Sequence, residues 1–304
     1  MTQQFRCSAS SMQRSEPLLG TASTILAFLL IEVPGPWGVD AVRDCRLPQQ
    51  LTENLLGKVH PLGIRPLLIR RHGRSNPPST RVFAAYADPH LPWMQTAELD
   101  SPQQILDLDL DGLAAGRSAG LAVTDDPIFL TCTHGRHDPC CAEQGRPVAR
   151  TLAASHPAES WEVSHIGGDR FAGNVLVLPE GLYYGHLQPD VASKLATEHR
   201  RGHLSLNELR GRSGFGFAIQ AAEVYLRRHL ALTELRAIRL ESQSLRLGIT
   251  EAVFLHGTQR WRVRLRRAQA DAHLLTCGAR LSNPTFVHEL IAIEPDATGL
   301  AVSP

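Results

Sequence analysis

Three cysteines fall within ten residues at a junction where a strand is predicted to end and a helix to begin. Residues 128–133 (IFLTCT) form a short apolar run typical of a buried strand, with Cys132 near its end. A helix is predicted from about residue 141 to residue 155, so Cys140 and Cys141 lie at its start. Unpaired backbone N–H groups and the helix dipole favour a thiolate at such a position. Because thiolate binds metal or attacks a substrate, the junction predicts one of these two roles.

The strand and helix pattern predicts an α/β (α+β) protein with two similar halves. The first half follows a β-α-β-β order and starts with an almost continuously apolar strand at residues 24–33. The second half follows a β-α-β-β-β-α order that resembles the thioredoxin-like layout. We therefore expect two tandem thioredoxin-like halves and, after them, a small β-rich unit. The predicted divisions are a flexible tail at 1–20, an N-terminal half at 21–126, a second thioredoxin-like domain at 127–231 and a β-rich extension at 232–304.

Composition excludes several other classes of protein. The net charge of +1 over 304 residues gives no basic footprint for nucleic acid. The apolar run at residues 25–33 is much shorter than the ~20 residues that cross a bilayer. The first residues show no charged region followed by an apolar run, as a secretory signal would. We therefore expect a cytoplasmic protein that contacts neither nucleic acid nor membrane, in which clustered cysteines indicate metal binding or catalysis.

A second polar motif follows the next predicted strand, at residues 164–174 (SHIGGDRFAGN). Its paired glycines allow the backbone to turn tightly and to approach a bulky ligand. His165 and Asp169 are separated by three residues, and both are able to point into one cavity. The other histidines near the two motifs are predicted to orient ligands: His134, His137 and His186. Of the remaining cysteines, Cys7 and Cys45 are interpreted as inert residues without partners, and Cys277 as a core residue.

These two motifs, in this order and at this separation, resemble the sucrase/ferredoxin-like family, which includes the fungal actin-patches-distal proteins. The resemblance covers most of the chain and takes in residues 32–38 (EVPGPWG) and 174–185. It implies a thioredoxin-like ferredoxin fold with a [2Fe–2S] cluster at residues 127–231. In the family pattern, two cysteines at C-x8-C and two histidines at H-x3-H hold the cluster. Cys132 and Cys141 match the cysteine pair, and His165 matches the first histidine.

The position of the second histidine holds Asp169, which departs from the family pattern. The ligand set implied by the resemblance is therefore Cys132, Cys141, His165 and Asp169. Cys140, His134 or a water molecule are alternative fourth ligands, and loss of the cluster is a further alternative. The word sucrase gains no support, since no pair of carboxylates resembles a glycosidase acid and nucleophile.

The resemblance implies an electron carrier with a [2Fe–2S] cofactor rather than a stand-alone enzyme. No dinucleotide fingerprint follows a predicted strand, so we expect electrons to come from a flavoprotein reductase and to pass to a further partner protein. Two other functions stay open. Two cysteines, one histidine and one aspartate also suit a structural zinc ion. The second alternative function is a thiol oxidoreductase that uses Cys132, Cys140 or Cys141, although the chain lacks a C-x-x-C motif at the helix start.

Overall fold

The computed structural model describes residues 4–73 and 78–296, which form two β-sheets and the helices packed against them. The α-helices in this part of the chain are α1 (Cys7–Gln13), α2 (Gln49–Val59), α3 (Leu110–Ala114), α4 (Pro139–Ser155), α5 (Pro189–Arg200) and α6 (Phe217–His229). The strands are β1 (Ala27–Glu32), β2 (Arg65–Arg70), β3 (Thr80–Tyr86), β4 (Trp93–Leu99), β5 (Ala122–Val123), β6 (Ile128–Cys132), β7 (Ser160–Val163), β8 (Val175–Leu178), β9 (Leu182–Tyr184), β10 (Leu209–Arg212), β11 (Arg239–Arg246), β12 (Ile249–His256), β13 (Gln259–His273) and β14 (Asn283–Pro295). This content confirms the predicted α+β class.

The large sheet has the strand order β10-β9-β8-β6-β7-β2-β1-β3-β4-β5. In the first half, β1 pairs in parallel with β2 and antiparallel with β3, and β3 pairs with β4. In the second half, β6 pairs in parallel with β7 and antiparallel with β8, and β8 pairs with β9. The crossovers that the two parallel pairs require contain α2 and α4. The same order of four strands therefore occurs twice, which confirms the expected tandem thioredoxin-like halves.

The two halves meet where β2 and β7 pair antiparallel, with Arg70 opposite Glu162. The buried Glu162 carboxylate accepts hydrogen bonds from Arg70 at 2.7 Å and from the Thr133 hydroxyl at 2.7 Å, and it contacts His72 Nδ1 at 2.8 Å. Burial opposes its charge, but these neighbours outweigh burial and hold the pKa of Glu162 below its usual range. The pairing joins both halves in one sheet; the domain boundaries derived from the sequence stay predictions.

Residues 1–20, expected as a flexible tail, include helix α1, with Cys7 and Ser11 buried. Ser11 Oγ donates to Glu16 at 2.9 Å, and Glu16 pairs with Arg170 at 2.7 Å. The polar side chains of this segment therefore have partners far along the chain, which a local sequence pattern does not show. Residues 1–3 of the expected tail lie outside the described part of the chain.

The small sheet, with the order β11-β12-β13-β14, forms the predicted β-rich C-terminal unit. Its apolar side chains pack against α6, as with Phe254 and Val263 against Leu226. Residues 297–304 of the predicted unit lie outside the described residues. Among the helices that the structure describes, none has the length and apolar character needed to span a membrane.

Candidate metal centre

The junction between β6 and α4 places two cysteine side chains side by side. Cys132 is the last residue of β6, and Cys141 lies in the first turn of α4. The helix begins where it does because Asp138 Oδ1 accepts the Cys140 N–H at 2.9 Å and Pro139 occupies the first helical position. Gly145 lets α4 pass directly over the end of β6, since a Cβ there would lie 2.0 Å from the Cys132 carbonyl oxygen. This close approach brings the two thiols together.

Cys132 and Cys141 are each about 1% exposed. The hydrogen bond from Cys141 holds the pKa of Cys132 well below its usual range, although burial acts in the opposite direction. The same contact, together with burial, raises the pKa of Cys141. Of the two cysteines, Cys132 is therefore the one whose surroundings favour the thiolate, the form that binds metal.

The glycine-containing loop after β7 is held by a buried arginine of β10. Gly167 and Gly168 have φ values of 99° and 81°, a conformation that side chains other than glycine rarely adopt. Arg210 donates to the Gly167 carbonyl at 3.0 Å and to Asn174 Oδ1 at 2.8 Å, and Asn174 Nδ2 donates to the Gly168 carbonyl at 2.8 Å. These bonds fix the loop in a shape that turns Asp169 toward the thiols.

Asp169 lies between the cysteine pair and the histidines. Its Oδ1 accepts from Cys141 Sγ at 3.2 Å and lies 3.0 Å from His165 Nδ1. The His165 Nδ1 atom is nevertheless buried without a hydrogen bond of good geometry, so it is able to bind a metal. The His137 ring stacks on the His165 ring with centroids 3.7 Å apart, and its Nε2 lies 3.7 Å from Asp169 Oδ2.

The charges in this group stabilise one another. Burial alone would raise the pKa of Asp169, but His137 and His165 outweigh it and hold that pKa well below its usual range. Burial would lower the pKa of His165, but Asp169 and the Cys132 thiolate raise it to about 9. The Asp169 carboxylate and the Cys132 sulfur thus favour the protonated form of His165, and a metal ion bound by this imidazole would compete with that proton.

The other residues that the sequence singled out lie in different places. His134 has both ring nitrogens in contacts, because Nε2 lies 2.6 Å from the Gly38 carbonyl oxygen and Nδ1 accepts the His165 N–H at 3.3 Å. The Cys140 thiol points away from Cys141, toward a separate group of cysteines. His186 contacts the Ala172 carbonyl oxygen at 3.4 Å, away from the thiols. His137, expected only to orient ligands, is itself placed as a possible ligand. The sequence signal for this role of His137 was its position, together with His134, in the loop before α4.

The residues present fit a metal or cluster. The candidate ligand atoms of Cys132, Cys141 and His165 lie within 4.8 Å of one another, and so do those of His137, His165 and Asp169. We call Cys132, Cys141, His165 and Asp169 the first donor group. Thiols and imidazole are also the donor types that hold iron in Rieske centres, where two histidines replace cysteines on one iron. The same donors also suit one tetrahedral zinc ion.

The repeated four-strand order and the first donor group define a thioredoxin-like protein with a buried group of metal-binding side chains. The chain matches the sucrase/ferredoxin-like family over residues 18–211 and belongs to that family. This match confirms the resemblance found in the sequence.

Over 98 residues the chain is 30% identical to Altered inheritance of mitochondria protein 32 of Meyerozyma guilliermondii. The aligned stretch covers 28% of this chain and 34% of that protein, so the chain matches about a third of the length of this relative. No solved structure matches the chain.

Proposed function

We propose that this protein is an electron carrier whose [2Fe–2S] cluster is held by Cys132, Cys141, His165 and Asp169. The observation that supports it most is the convergence of two buried thiols, a carboxylate and a buried imidazole nitrogen that lacks a hydrogen bond of good geometry. When bound, the cluster supplies a centre that accepts and releases one electron at a time. The protein binds the cluster, excludes water from the cysteine sulfur atoms that hold it, and sets the net charge of the site through its ligands.

The surface beside the first donor group offers a place for redox partners. The His137 side chain is 36% exposed and stacks on His165, so it links the buried group to solvent. The groove at this point is lined by side chains that include Arg43, His60 and Arg65. Asp40 also lines this groove and pairs with Arg43 at 3.3 Å, so the groove offers charges of both signs to a partner. We propose a flavoprotein reductase as the electron donor, a second protein as the acceptor, and the cytoplasm as the place where they meet.

A single zinc ion is the second candidate for the same residues. The ligand atoms of Cys132, Cys141 and His165 lie within 4.8 Å of one another, and two thiols with an imidazole are donors that a tetrahedral zinc ion takes. The third function considered, thiol–disulfide exchange, gains less support. A protein disulfide has no access to Cys132 and Cys141, since each is about 1% exposed.

The deciding measurement is an anaerobic absorption spectrum with iron and sulfide counts, followed by EPR after reduction with dithionite. A red-brown protein with about two irons and two sulfides per chain, and an S = 1/2 signal when reduced, would support the cluster. A colourless protein that takes up no iron during anaerobic reconstitution, and whose zinc is lost in Cys132→Ser, would replace the proposal with the zinc site.

Replacing Asp169 with histidine is expected to raise the reduction potential. A carboxylate ligand adds a negative charge that stabilises the oxidised cluster, whereas neutral imidazole does not. A redox titration of wild type and Asp169→His, followed by absorbance, measures the shift. Asp111→His is the matched control, because Asp111 is exposed on α3. An unchanged or lowered potential in Asp169→His would contradict Asp169 as a ligand.

A further inference from the structure

Three more cysteines converge beside the first donor group, and they come from three distant parts of the chain. Cys7 begins α1, Cys140 lies in the first turn of α4, and Cys277 lies in the connection between β13 and β14. The Sγ atoms of Cys140 and Cys277 are 3.3 Å apart, and those of Cys277 and Cys7 are 3.6 Å apart. The interpretation of Cys7 as a residue without partners is therefore wrong.

A carboxylate completes this set. The two Asp138 oxygens each lie 3.8 Å from Cys7 Sγ, and Asp138 is about 1% exposed. They accept the backbone N–H groups of Cys140 at 2.9 Å and of Cys277 at 2.7 Å. A carboxylate has about four lone-pair sites, so these two bonds leave capacity for a metal. These two N–H hydrogen bonds also fix the orientation of the Asp138 carboxylate.

The spacing fits one ion. Sulfur atoms bound to one tetrahedral zinc ion at ~2.3 Å lie about 3.8 Å apart. The observed separations are close to that value, and the ligand atoms of Cys7, Asp138, Cys140 and Cys277 all lie within 4.8 Å of one another. A disulfide would need two sulfur atoms at about 2.05 Å and would leave the third thiol unused.

The surroundings are those of a closed structural site. Cys7 and Cys140 are fully buried, and Ala172 and Phe5 pack against them. A buried cluster of three thiols in an apolar shell is unfavourable once the thiols ionise, because the apolar neighbours do not solvate the negative charge. A divalent cation would balance that charge.

We propose that Cys7, Cys140, Cys277 and Asp138, the second donor group, bind one structural zinc ion. The ion would tie α1 and the β13–β14 connection to the start of α4, next to Cys141 of the first donor group. This site is separate from the proposed electron-transfer site, because the two groups share no residue.

Zinc per chain in the purified full-length protein tests this proposal, with Cys7→Ser and Cys277→Ser compared with wild type. We expect about one zinc ion per chain bound by these residues in wild type, and its loss in both variants while iron in the first donor group is retained. Cys45→Ser is the matched control, because Cys45 belongs to neither donor group. If the first donor group also holds zinc, wild type binds about two zinc ions per chain and each variant loses only one. A failure of the cluster proposal is therefore distinguishable from a failure of the zinc proposal for the second donor group.

Cobalt substitution gives a second readout that does not depend on the folding of Cys7→Ser or Cys277→Ser. A tetrahedral cobalt spectrum with strong thiolate charge-transfer bands, retained in Cys132→Ser, is the expected result. Two results would overturn the proposal: zinc content equal to wild type in both Cys7→Ser and Cys277→Ser, or a Cys140–Cys277 disulfide in protein purified anaerobically.

Discussion

Replacing Cys132 with serine is expected to remove most of the iron and the visible colour from the purified protein. The surroundings of Cys132 favour its thiolate form, whereas a serine hydroxyl does not ionise near neutral pH. The new hydroxyl would also be buried, at a cost of about 1–3 kcal/mol if it lacks a partner. Iron and sulfide content, the absorption spectrum and the EPR signal after reduction measure the effect.

Cys45→Ser is the control for this experiment. Cys45 is half-buried, and its Sγ donates to the Val42 carbonyl at 3.1 Å, away from the first donor group. We expect this variant to keep wild-type iron and colour. A Cys132→Ser protein with the iron content and EPR signal of wild type would show that the cluster does not use Cys132.

Replacing Gly145 with alanine is expected to destabilise the fold and to weaken metal binding together. An added Cβ would lie 2.0 Å from the Cys132 carbonyl oxygen and 3.1 Å from its carbonyl carbon. Since both contacts are with backbone, α4 must move away from β6, and Cys141 moves with it. Overpacking of this kind costs about 1–3 kcal/mol, or more where backbone must shift. Urea unfolding of the metal-free protein and iron content after reconstitution measure the two effects.

Gly57→Ala is the matched control, because Gly57 is also inside a helix, α2, and an added Cβ would meet no atom within 4 Å. Alanine there is expected to stabilise the helix by roughly 0.5–1 kcal/mol. If Gly145→Ala behaves like Gly57→Ala, then the close approach of α4 to β6 does not position the thiols.

Much of the second half of the fold was predictable from local sequence. The helix predicted from about residue 141 to residue 155 corresponds to α4, which begins at Pro139, and the apolar run at residues 128–133 forms β6 with a difference of one residue. Such agreement is expected where apolar periodicity and a proline at the helix start indicate the same element. The junction that carries Cys132 and Cys141 was predicted for the same reason.

The rest depends on contacts between residues far apart in the chain. Cys7 and Cys277 are separated by 270 positions, and neither has a motif around it that indicates a partner. The role of His137 depends on its ring lying over that of His165, which loop geometry decides rather than residue type. The pairing of β2 with β7 also joins residues far apart in the chain. Each half shows a complete pattern of strands and helices in the sequence, and neither pattern indicates that the two halves pair.

The pairing of β2 with β7 also bears on whether the half that carries the first donor group can exist alone. If the chain were cut before β6, β7 would become an edge strand with unpaired backbone N–H and C=O groups. Its side chains are buried in the intact sheet, including those of Trp161 and Val163. Such an edge favours pairing with the same edge of another copy. The N-terminal half therefore covers the β7 edge of the half that carries the first donor group, and we expect it to disfavour self-association there.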